Sequence, residues 1–103
     1  FDRIQSGSKR IEVRLNDDKR KRVQIGDQIL FVAMNDDDKS LHVKVLELLP
    51  AKSFSELVGD RSMTEFGLDA EHDRYDYLKS IYEIYSKDDE KLFGVLGMEI
   101  ELV

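Results

Sequence analysis

The densest grouping of reactive side chains in this sequence is Lys9, Glu12 and Arg14, which follow Gly7 within a few residues. A lysine beside a carboxylate and a guanidinium supports two kinds of chemistry. Kept protonated, Lys9 and Arg14 bind phosphate or a base carbonyl, with Glu12 accepting from a base amino group or orienting Arg14. Stripped of water, Lys9 could instead lose its proton near neutral pH and act as a base, with Glu12 moving protons or positioning water. The neighbouring carboxylate opposes that second course, because it stabilises the ammonium form. A third reading asks for no chemistry: a solvated strand face carrying a surface ion pair, worth about 0–1 kcal/mol.

The surrounding residues say what must position these groups. Ile11, Val13 and Leu15 alternate with Arg10, Glu12 and Arg14, the period of a half-buried strand. Glu12 and Arg14 then share a face, with Cα atoms roughly 6.5–7 Å apart. Lys9 has the parity of the apolar set, so it joins them only by projecting from the turn before the strand. Phe1 and Ile4 fit the last turns of a helix ended at Gly7 by a left-handed cap. Phe1 is not an initiator methionine, and the natural N-terminus is expected to lie upstream.

Further along, Lys19-Arg20-Lys21-Arg22 is a basic run that reads as a solvated hairpin loop or a phosphate contact. Ile29 to Met34 is a continuous apolar run, expected as a strand buried on both sides. Asn35 to Ser40 marks a hairpin tip. Its aspartates suggest calcium, but Leu41 stands where the helix-loop-helix type of site needs glycine, and no metal is expected. A strand from Leu41 to about Leu49 should stop at Pro50. Ser53 and Glu56 have capping-box spacing, so a short helix is expected through Val58. Residues 59–72 lose periodicity and read as a loop pinned by Phe66 and Leu68. Tyr75, Leu78, Ile81, Tyr82 and Tyr85 then mark one helical face. Its tyrosines either pack in the core or stack on a base, Tyr85 being the candidate for the latter. Ser86 to Lys91 reads as a charged turn, and a last strand alternates Met98, Ile100 and Leu102 with Glu99 and Glu101.

Composition sets the outer limits. With 103 residues, 41% hydrophobic and 37% charged, the chain fits a single globular domain spanning 1–103. It has no cysteine, which excludes disulfides and thiolate zinc sites and suits a cytoplasmic setting. No apolar run approaches a membrane span of roughly 20 residues, so no membrane partner is expected, and no cofactor is implied. The net charge of −6 argues against coating duplex nucleic acid and leaves room for a local pocket or stripe. Four or five short strands with two helices before the last read as α+β. Such strands bury most area by curling into a small β-barrel with flanking helices, closed between the first and last strands.

Taken together, several blocks resemble the ASCH domain: Gly7-x-Lys9-x-x-Glu12-x-Arg14, the basic run, Val23-x-Ile25-Gly26-Asp27, Ser53-Phe54-x-Glu56-Leu57, and Tyr85-Ser86 before Phe93-Gly94-Val95-x-Gly97. The resemblance covers essentially the whole chain and rests on the order of the blocks rather than on any one of them. It implies a PUA-like barrel whose cleft is lined by Gly7, Lys9, Glu12 and Arg14. The implied partner is RNA, single-stranded or small and structured, or else a nucleotide or nucleoside. Some small relatives are amidohydrolases that deacetylate acetylated cytidine, and others are described as ribonucleases. The resemblance thus keeps a hydrolase open, in which Lys9 and Glu12 would be catalytic. The amidohydrolase branch shares the lysine but has a threonine nucleophile where this chain has Glu12. An interaction domain that meets another protein through a strand edge or basic loop is the remaining alternative.

Overall fold

The computed structural model describes residues 9–33 and 36–103, with residues 33 and 36–39 as backbone only. The expected N-terminal helix and Gly7 lie outside the described residues.

Four antiparallel strands, β1 (Ile11–Leu15), β2 (Gln28–Ala33), β3 (Asp36–Ala51) and β4 (Val95–Leu102), form one sheet in the order β1-β4-β3-β2. First and last strands are neighbours, as expected, and the fold is α+β with a curled, barrel-like sheet. Three helices, α1 (Phe54–Val58), α2 (Arg74–Ile84) and α3 (Lys87–Phe93), fall between β3 and β4 in the chain. Among the described residues, no helix is long and apolar enough to cross a membrane.

Strand alternation sorts the core into two clusters. Ile11, Val13 and Val95 pack with Phe54, Leu57, Val58 and Ile81 on the helical side of the sheet. Leu96, Met98, Ile100 and Val43 form the other cluster, joined by the half-buried Ile29 and Phe31. Because β4 is covered on both sides, Val95, Leu96, Gly97 and Met98 are all buried. Full burial of each such large side chain contributes about 1.5–3 kcal/mol. Gly97 lets α1 approach closely, since a Cβ there would lie 2.8 Å from Leu57 Cδ1.

Several expectations are corrected. The run Ile29 to Met34 is not buried on both sides, because β2 is an edge strand in the described sheet and Leu30 and Val32 are about half exposed. Met34 itself is outside the described residues. Pro50 does not stop β3, which continues to Ala51. Pairing with β2 ends at Lys44, so Pro50, paired with Leu96 of β4, has no strand on its other side to miss its N–H. Ser86 to Lys91 is mostly helix rather than turn: Ser86 caps α3 by accepting from Asp89 N–H, with Asp88, Asp89 and Glu90 in the first turn. The capping-box expectation holds for α1, where Ser53 Oγ accepts from Glu56 N–H at 3.0 Å. The Glu56 carboxylate reaches back to the Lys52 N–H, at 3.3 Å, rather than to that of Ser53. β1, expected to pair with strands on both sides, pairs with β4 on one side only. Its other edge is met by the turn around Phe66, through a Lys9–Phe66 bridge and Arg10 N–H donating to Glu65 C=O at 3.0 Å.

Candidate functional site

The Phe66 bridge fixes Lys9 just before regular pairing begins, which answers how it joins a face whose parity it does not share. Lys9 Nζ lies 3.1 Å from Glu12 Oε2. Glu12 Oε1 accepts from Arg14 Nη1, which also donates to Val13 C=O at 2.9 Å. Glu12 is only 2% exposed, whereas the Lys9 and Arg14 side chains remain 24% and 31% exposed. A lone buried carboxylate would be costly, so two cations are the condition for its burial. One anion between two cations leaves the trio with a net positive charge.

Register decides which way the trio looks. Glu12 stands opposite Met98 and Arg14 opposite Leu96, so both belong to the sheet face turned away from the helices. On that face Arg14 lines a cavity of about 350 Å³, together with Lys19 and Arg20 and the apolar Ile29, Phe31 and Met98. The turn carrying the two basic residues is held by Asp17, whose Oδ1 accepts from Arg20 N–H at 3.0 Å and whose Oδ2 lies 3.3 Å from Arg20 Nη1.

Tyr85 is on the other side. It packs with the helical cluster and stacks on Phe54, ring centroids 5.5 Å apart, so it is not brought together with Lys9, Glu12 and Arg14. Tyr82 meets the same Phe54 edge-on and donates its hydroxyl to Glu90 Oε2 at 2.6 Å. Burial, that hydrogen bond and the Glu90 charge push the Tyr82 hydroxyl up to about 12. Sequence reasoning left Lys19 and Arg20 out of the site. The signal was the basic run itself, which does not say what lies beneath it.

A curled antiparallel sheet, with helices on one face and a buried carboxylate between two cations on the other, defines a small α+β domain of the PUA-like kind. A family model described as "ASCH domain" matches residues 1–103, and the chain belongs to the ASCH domain family. It is similar to the crystal structure of hypothetical protein PH0355, with TM-score 0.81 and 28% identity over 99% of this chain and 89% of that one. It is also similar to the solution structure of protein PF0455 from Pyrococcus furiosus, with TM-score 0.74 and 29% identity over 97% and 86% of the two chains. A search of curated proteins gave no match.

Proposed function

We propose that this domain binds RNA or a nucleotide through Lys9 and Arg14, with Glu12 holding the two cations in place. The observation that carries the reading is the state of Glu12: it is buried, and each of its oxygens is engaged by one of two partly exposed cations. A carboxylate so occupied orients donors better than it accepts a proton from substrate. Lys9 Nζ, 3.1 Å from Glu12 Oε2 and partly exposed, is placed to meet an anionic group of the ligand. The general association of the ASCH fold with RNA points the same way. The acidic balance of the whole chain favours a small or single-stranded ligand over duplex coating.

The test is a panel of nucleosides, mononucleotides and short single-stranded RNA followed by chemical-shift mapping, with acetylated cytidine and RNA incubated in parallel and products read by mass. Binding with shifts at Lys9 and Arg14 and no turnover supports the reading. Deacetylation or strand cleavage that vanishes in Lys9→Ala replaces it with a hydrolase. Silence in both assays leaves a protein-interaction domain.

A further inference from the structure

The cavity beside the charged trio combines two kinds of surface that one small ligand would need together. Its apolar part is Ile29 and Phe31 from β2 and Met98 from β4, on one face of the sheet. Its cationic part is Arg14 from β1 and Lys19 and Arg20 from the basic turn. We infer that this cavity takes one nucleotide unit ending in a phosphate monoester, with the base against Phe31 and Met98 and the phosphate at Lys19 and Arg20. The inference rests on the nucleotide-binding reading above and names the ligand of the site beside it.

Three observations support that choice. At about 350 Å³ the cavity is at the small end of ligand sites, which run from about 300 to 1,000 Å³, and suits one nucleotide rather than a stretch of chain. A flat base has apolar faces that match the aromatic and thioether surfaces of Phe31 and Met98, while an inorganic anion alone would leave them unused. A terminal phosphate carries about −1.5 to −2 charges near pH 7, against one for an internal diester, so a site whose cations Arg14, Lys19 and Arg20 outnumber the paired carboxylates Glu12 and Asp17 favours the chain end. Asp17 engages Arg20 at Nη1, and a guanidinium has five N–H donors, so others stay available to phosphate. Lys19 is exposed and has no ion-pair partner among the described residues.

The experiment titrates the full chain with 5′-mononucleotides, the matching nucleosides, and a tetranucleotide with either a 5′-phosphate or a 5′-hydroxyl. It follows the Met98 methyl and Phe31 ring by NMR. Mononucleotides are expected to bind about tenfold tighter than nucleosides, the scale of one good charge-assisted contact, and to shift both probes. The Lys19→Gln/Arg20→Gln double variant should erase that difference. Lys19→Gln alone, at an exposed position, should lower it about threefold and serves if the double variant fails to fold. The two tetranucleotides distinguish a free nucleotide from an RNA end as the source of the phosphate. Equal affinity for nucleoside and mononucleotide overturns the inference, whereas equal affinity for the two tetranucleotides with the mononucleotide preference intact supports it with a free nucleotide as the source. Shifts at Lys9 and Arg14 with Met98 and Phe31 unmoved sink the cavity assignment and leave the charged trio as the binding site. No shift anywhere refutes both.

Discussion

Glu12 and Glu90 are the two buried acidic residues among those described, and they are satisfied in opposite ways. Glu90, on α3, accepts from neutral donors only: Phe54 N–H at 2.8 Å and the Tyr82 hydroxyl at 2.6 Å, both at Oε2. It closes the first turn of α1 and ties α1, α2 and α3 into one cluster. Glu12 instead holds two partly exposed cations on the face away from the helices. Neutral, short-range partners make a structural staple. Charged, solvent-reaching partners suit the proposed site, because Lys9 and Arg14 are exposed enough to meet a second anion while Glu12 keeps them in place. Burial alone would not distinguish the two carboxylates; the identity of their donors does.

The sharpest way to break the comparison is to remove each carboxylate. Glu12→Ala leaves two cations facing each other without their anion. Loss of a buried ion-pair partner costs about 3–5 kcal/mol, and the partial exposure of Lys9 and Arg14 brings the expected loss to about 2–4 kcal/mol. Glu90→Ala orphans the Phe54 N–H and the tyrosyl hydroxyl, for an expected loss of about 2 kcal/mol. Denaturant unfolding of the two variants measures both.

Isosteric neutralisation sharpens it further. A glutamine oxygen can accept both bonds at position 90, so Glu90→Gln should cost less than about 1 kcal/mol. At position 12 the same change removes the charge both cations need, and Glu12→Gln should recover little of the Glu12→Ala loss. Equal tolerance of glutamine at the two positions would erase the distinction.

The smallest effect is in pH dependence. Tyr82 is held above its unfolded value of 10, at about 12, so its hydrogen bond contributes fully below pH 10 and is lost as pH rises toward 12. The stability difference between the protein and Tyr82→Phe should therefore be constant from pH 7 to 9 and shrink between pH 10 and 12. A difference that persists to pH 12 would mean the hydroxyl contributes no such linkage.

The strand that carries the site was legible because period two is a strong signal: Ile11 and Val13 are buried where the alternation puts them. What surrounds it was less so, for physical reasons. An apolar run such as Ile29 to Met34 does not say whether its strand is central or at an edge, since neighbours in the sheet come from distant sequence. The helical face was read correctly at Leu78, Ile81, Tyr82 and Tyr85, which all pack on the helical cluster, and missed at its first position. Tyr75 is 84% exposed, while Tyr77 packs its ring against Phe66 at 5.1 Å. α3 was hidden by its charge, although a serine cap, three acids in the first turn after Lys87 and a lysine in the last turn are what a helix start and stop favour. Lys19 and Arg20 could be read as cations from sequence. That they share a cavity with Phe31 and Met98 depends on how the sheet curls, which local pattern does not encode.

The central claim is that Arg14, oriented by Glu12, recognises ligand rather than only balancing a buried charge. Arg14→Lys tests it most directly, because the charge next to Glu12 is kept while the planar fork is lost. Titration of 5′-mononucleotides into the protein and this variant should show affinity weakened about tenfold, with thermal stability nearly unchanged. Unchanged affinity for every nucleotide tested would contradict the account and leave Arg14 as a structural partner of Glu12.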